Sequence, residues 1–268
     1  MSGFDDFNDE PIHRLADPKE IDARESLRRF FAANRERVFF SRQLEVHNEN
    51  ELFHWITNRA IRGLEGEGYI KSEWRRLSTD TSIKLVWHKS YRFYKRSAAQ
   101  LVRLVEEYSA PIMGATLGLH GEMMVLEAFA RNKFLVGGRN ASEYDGKIWR
   151  ATGHDLDFIL ERDGIAYGVE IKNTLGYMDK KEFDIKIQIC QFFGIRPLFV
   201  VRMMPRTWIY ELNQAGGFAL ILKYQLYPWS HHELAKRVAK ELGLPVDAPK
   251  SIEEGTMMRF LRWHREIL

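Results

Sequence analysis

The stretch 153–173 reads GHDLDFILERDGIAYGVEIKN. Phe158, Ile159 and Leu160 precede the turn signal Arg162-Asp163-Gly164, and apolar alternation from Ala166 to Ile171 follows it. Two strands joined by a tight turn are therefore predicted. Side chains alternate along a strand, so Glu170 and Lys172 share one face while Ile171 points to the opposite, apolar one. Pairing across the hairpin brings Asp157 to the same edge. Two carboxylates and an ammonium there are suited to holding a divalent metal and a water, with the lysine orienting the nucleophile or offsetting charge on a phosphate. A half-buried hairpin with a surface salt bridge is the plain alternative.

Working outward, residues 121–131, GEMMVLEAFAR, read as a helix, and NKFLV at 132–136 reads as the strand after it. Glu122 and Glu127 cannot both face one site, because five residues apart on a helix they diverge by more than a right angle. Downstream of Lys172, DKKEFDIKIQICQFFG reads as a helix closed by Gly194, and PLFVVR as a buried strand.

This order of elements, with Asp157 and Glu170-Ile171-Lys172, resembles the PD-(D/E)XK nuclease superfamily, which includes restriction endonucleases and archaeal Holliday junction resolvases. The resemblance covers roughly residues 115–205, and its specificity lies in the order and spacing of short motifs. Leu156 stands where the motif has proline. The resemblance implies an α/β fold, a restriction endonuclease-like mixed sheet flanked by helices. It further implies catalytic roles for Asp157, Glu170, Lys172 and Glu122, and a magnesium or manganese ion held by Asp157, Glu170, Ile171 and Glu122. Gln188 stands where several members carry a glutamine near the metal, with Gln191 the other register; both also read as surface positions. Asp155 shares strand parity with Asp157 and is the runner-up aspartate. His154 is either a base or a structural hydrogen-bonding group. Lys180 and Lys181 suit phosphate contact or plain solvent exposure. Gly137, Gly138 and Arg139 are read as a loop after the first strand, continuing with mixed charge to Arg150.

The chain has 268 residues, a formal net charge of +3 and one cysteine. That length makes two domains the prior. No apolar run reaches membrane-spanning length, so no membrane partner is expected. The acidic start MSGFDDFNDEPIHRLADPKEID lacks the apolar core of a secretory signal and is read, as residues 1–22, as a poorly ordered tail. Cys190, among apolar neighbours, excludes disulfides and thiolate zinc sites within one chain, and a cytoplasmic setting follows as the default. Positive charge is concentrated in residues 24–104, with an excess of about eight.

Within that basic region, ARESLRRFFAAN places Leu27, Phe30 and Phe31 at helical spacing. An apolar link at 37–40 follows, then Ser41 as an N-cap of a second helix, and a third helix over about 49–65 with Leu52, Phe53, Ile56, Ala60, Ile61 and Leu64 inside. YIKSEW and IKLVWHKS then alternate as strands around the turn RRLSTDTS. Three helices and a hairpin resemble a winged helix-turn-helix domain in layout. That likeness offers Asn58, Arg59 and Arg62 to the major groove and places Arg75 and Arg76 in the wing, where guanidinium groups suit phosphates. The domains so read are the tail, a winged helix at 23–95, a connecting helix at 96–114 with glycines 114, 118 and 121 marking a change of element, and the nuclease-like domain at 115–268.

The C-terminal part reads as an apolar strand, GFALILKY, an amphipathic helix and a final helix, with His231, His232 and His264 in capping or surface roles. The function expected is a metal-dependent DNA endonuclease targeted by the winged helix. A resolvase of branched DNA, for which a homodimer is expected, and a non-catalytic DNA-binding or assembly protein are the alternatives.

Overall fold

A computed structural model of the protein describes residues 17–268, so positions 1–16 of the expected tail lie outside the described residues. The chain divides into two compact units after Val102.

The first unit opens with α1 (Pro18–Ala33), which takes in the last residues of the stretch read as a tail. The acidic composition hid a start signal: the Asp17 carboxylate accepts from the Lys19 N–H, and Pro18 stands at the first helical position. Residues read as a link form β1 (Val38–Phe40). Ser41 is the first residue of α2 (Ser41–Asn48), not its cap; Phe40 holds the cap position and its N–H donates to the Gln43 side chain. Helix α3 (His54–Gly66) starts at His54, later than expected, and buries Ile56, Ala60, Ile61 and Leu64. Gly68, at φ +66, turns the chain into β2 (Ile70–Arg76), which pairs with β3 (Ser82–His88). The sheet order is β1-β3-β2, all antiparallel. Arg75 and Arg76 sit in the ladder opposite Ile83 and Ser82, not in the turn. The core joins Leu27 and Phe31 of α1 to Leu44, Ile61, Leu64 and Val86.

Helix α4 (Tyr94–Ser109) carries the chain across the division, and α5 (Pro111–Arg131) follows immediately. The break falls at Ala110 because proline pushes the residue before it into extended backbone. Gly114, Gly118 and Gly121 lie inside α5 and mark no change of element. Packing explains Gly121: a Cβ there would stand 2.7 Å from the Asn173 Cβ.

Strand β4 (Leu135–Ala141) contains Gly137, Gly138 and Arg139, which the sequence reading placed in a loop; a register shift between Val136 and Gly138 bends it. A small hairpin of β5 (Glu143–Tyr144) and β6 (Lys147–Ile148) precedes the deciding hairpin, β7 (Leu156–Arg162) and β8 (Ile165–Lys172). Its turn residues Asp163 and Gly164 both have positive φ, 53 and 75, which matches the twist of a two-residue hairpin. Asp179 caps α6 (Lys180–Phe193), and left-handed Gly194 ends it. Then come β9 (Arg196–Val201), α7 (Arg206–Gln214) and β10 (Phe218–Ile221), of which α7 went unread in the sequence. Short β11 (Gln225–Leu226) pairs with β12 (Val246–Asp247) around α8 (His232–Arg237), and α9 (Glu254–Glu266) follows.

The main sheet runs β10-β9-β8-β7-β4, antiparallel through β4, β7 and β8 and parallel from β8 to β10. It is a mixed sheet flanked by helices, in an α/β arrangement. Val125 and Phe129 of α5 and Phe260 of α9 pack with Phe158, Tyr167 and Val169. Ile185, Ile189 and Phe193 of α6 pack with Leu156 and Ile159 in a separate cluster. His264, expected in a capping or surface role, is fully buried, its ring nitrogens bonding Tyr167 Oη at 2.5 Å and Asp163 at 3.0 Å.

Candidate active site

Alternation along β7 and β8 puts Asp157, Glu170 and Lys172 on the sheet face that α6 covers, opposite the face of Phe158, Val169 and Ile171. Asp157 Oδ2 accepts from the Ile171 N–H at 2.6 Å, which fixes the aspartate across the hairpin. The Ile171 side chain lies in the core on the other face. Glu170 is 1% exposed, with Lys172 Nζ 2.9 Å from one carboxylate oxygen and Lys186 Nζ 2.5 Å from the other. Both are charge-paired contacts, and Lys172 also meets Glu170 as a hydrogen-bond donor. Lys172 also reaches Glu182 at 2.9 Å.

The electrostatics follow from this crowding. Burial and the neighbouring Glu170 charge push the Asp157 carboxyl up to about 7, against the pull of the Ile171 N–H and of Lys186 and Lys172. Burial works against the Lys172 ammonium, yet Glu170 and Glu182 more than offset it and hold the group above its ordinary range.

Two participants from α6 were missed in the sequence, Lys186 and Glu182. The Lys186 ammonium also donates to the Asp155 carbonyl, and its side chain is almost wholly enclosed. Its signal was a lysine among the inward positions of α6, with Phe183, Ile189, Cys190 and Phe193. The amphipathic pattern alone treats such a lysine as a lapse, and only the facing Glu170 gives it a reason.

The remaining candidates fall elsewhere. Gln188 is exposed, two residues on from Lys186 and turned away from the cluster. Glu122 pairs with Arg139 at 3.2 Å, and Glu127 is exposed and pairs with Arg131. His154 Nδ1 lies 3.1 Å from the Thr152 hydroxyl, a local structural contact. Lys180 pairs with Asp184 and Glu211 at 2.5 and 2.6 Å. Burial raises the Cys190 thiol well above its ordinary value, in keeping with a core position.

Asn173 holds the end of β8. Its side-chain amide donates to the Leu117 and Leu226 carbonyls at 2.8 Å each, and its oxygen accepts from the Leu226 N–H at 2.6 Å.

For a divalent cation the donor set fits in part. Asp157 and Glu170 are adjacent hard-oxygen groups, with the two Glu170 oxygens faced by the Lys172 and Lys186 ammoniums. No group of three or more His, Cys, Asp or Glu able to hold a metal occurs among the described residues, so Glu122 does not join them.

In the first unit Arg59 and Arg62 are exposed on α3, whereas Asn58 donates to Glu45 at 2.8 Å. Arg75 pairs with Glu73 at 2.8 Å and Arg76 with Asp80 at 2.9 Å. No helix among the described residues is long and apolar enough to cross a membrane. Comparison of the chain with protein-family models, curated proteins and solved structures finds no match.

Proposed function

We propose that the second unit is a metal-dependent phosphodiester hydrolase of the PD-(D/E)XK kind, acting on DNA that the first unit, a winged helix, binds. The observation that carries this is the gathering of Asp157, Glu170 and Lys172 on one face of the β7–β8 hairpin, with Asp157 held against the Ile171 N–H. Topology supports it. Helix α5, the antiparallel strands β4, β7 and β8, the crossover helix α6 and parallel β9 follow the superfamily's order. Asp157 and Glu170 are the residues that would hold magnesium or manganese. When bound, such an ion lowers the pKa of water and stabilises charge on a phosphate under attack. Lys172, shared between Glu170 and Glu182, directs its ammonium to the carboxylate cluster, where it orients a nucleophilic water and offsets phosphate charge. Lys186 joins Lys172 in balancing the Glu170 charge in a buried setting. For the first unit, three helices, a hairpin and the exposed Arg59 and Arg62 support binding to the phosphate backbone.

The test is cleavage of supercoiled, linear, single-stranded and four-way DNA with magnesium, manganese or EDTA, beside Lys172→Ala and Asp157→Asn. The expected result is metal-dependent cutting, lost in both variants, together with a rise in thermal stability on adding manganese that Asp157→Asn lacks. Preference for four-way substrate would select the resolvase form. DNA binding with neither cutting nor a manganese response would sink the enzymatic reading and leave a DNA-binding or assembly protein.

A further inference from the structure

The first unit carries an indole that its own packing does not use. On β2, alternate residues share a face. Ile70 belongs to the core, Ser72 bonds Glu65 of α3, and the same face runs on to Trp74 and Arg76. Trp74 is 65% exposed, and no ring pairs with it among the described residues. Directly across the ladder stands Lys84, 16% exposed at its side chain, whose ammonium is held by Glu65 at 2.5 Å. Arg76 is 74% exposed at its side chain and, among the described residues, pairs with the likewise open Asp80. A surface ion pair of that kind holds weakly and exchanges readily for another anion.

Leaving an indole in water forgoes one of the largest apolar contributions a side chain can make. Its placement beside the open guanidinium of Arg76, on the hairpin face that continues from α3, argues for an anionic partner with flat apolar groups. Nucleic acid bases on a phosphate chain have that chemistry. Within a duplex, base faces are closed by their neighbours; in an unpaired strand they are open to an aromatic side chain.

We infer that Trp74 is a stacking platform for an unpaired base, with Arg76 meeting a flanking phosphate, so that the DNA taken by the first unit carries a single-stranded end or gap. This rests on the DNA-binding reading of that unit and narrows its substrate. One stacked base is worth about tenfold in affinity.

The test is fluorescence anisotropy in EDTA with the full chain and three labelled DNAs: a blunt duplex, the same duplex with a single-stranded overhang, and the single strand. Wild type is compared with Trp74→Ala, Trp74→Leu and Trp74→Phe. The expected result is tighter wild-type binding to the overhang than to the blunt duplex. Trp74→Ala and Trp74→Leu should each lose about tenfold on the overhang and single strand, with less than about twofold change on the blunt duplex, and Trp74→Phe should keep most of the affinity. Trp74→Leu preserves bulk without an aromatic face, so its loss separates stacking from folding. Blunt-duplex binding with no overhang preference, or with Trp74 variants that leave the overhang affinity intact, overturns the inference alone. No binding to any of the three DNAs overturns the DNA-binding reading and the inference with it.

Discussion

At the scale of single residues, Asp157 carries the most consequential chemistry. Its folded-state pKa of about 7 stands above the ordinary 3.8. Between those values the folded protein holds a proton that the unfolded chain releases, so stability falls as pH rises through this window. An asparagine in its place would keep an acceptor for the Ile171 N–H without the buried charge. In metal-free buffer, Asp157→Asn should therefore be more stable than wild type at pH 8 by about 2 kcal/mol, a figure reduced for partial solvation. The gap should close toward pH 4, and urea unfolding at the two pH values measures it. A variant that is less stable at both would mean that the carboxylate is a net stabilising group. Asp157 and the Glu170-x-Lys172 spacing were legible because strand parity is a local rule. Lys186 was not, because its partner lies sixteen positions away on another element and a buried lysine contradicts the helix's own pattern. His264 escaped for the same reason, its reason for burial being Tyr167 and Asp163 on the distant hairpin.

Among elements, the seat of α6 on β8 decides whether the cluster forms, since α6 brings Lys186 and Glu182 to the strand's Glu170 and Lys172. That seat is narrow at Gly168, where an added Cβ would press on the Cys190 sulfur and come within 2.8 Å of Leu156 Cδ1. Gly168→Ala should cost about 1–3 kcal/mol by overpacking. Cys190→Ala, which removes the sulfur, should restore part of that loss. A double-mutant cycle by denaturant unfolding reads the coupling, and strictly additive effects would show that helix and strand do not meet here. The elements themselves varied in legibility. The β7–β8 hairpin and α6 were plain, because Asp163-Gly164, Asp179 and Gly194 are punctuation whose backbone geometry is local. Glycines 114, 118 and 121 looked like the same punctuation and lie within α5 instead; at Gly121 the cause is the close approach of Asn173, a tertiary fact. The strand β1 was lost because three residues make no pattern, and only pairing with β3 defines it.

For the whole molecule, the division after Val102 separates the exposed arginines of α3 from the carboxylate cluster of the second unit. Under the proposed function, binding and cutting should accordingly be separable by mutation. Arg59→Ala with Arg62→Ala should weaken DNA binding and lower the slope of log affinity against log salt by about 2, as for two lost phosphate contacts. Turnover at saturating DNA should change little, whereas Lys172→Ala should abolish turnover with affinity retained. Salt titrations beside single-turnover cleavage check both; an unchanged slope in the arginine variant would remove α3 from the interface. The order of helices and strands that suggests two functions was visible in the sequence through periodicity. The side chains that complete each site were visible only where one element sufficed to place them.

Strand β4 forms one border of the main sheet, and its Leu135 and Val136 face water. A straight apolar border of that kind invites a strand from another molecule, the first step of fibrillar aggregation. The irregularity between Val136 and Gly138 interrupts the regular strand where those side chains are most exposed. The two glycines therefore guard solubility: residues of high strand propensity in their place would straighten the border into a template for self-association, whatever they did to the stability of the single chain.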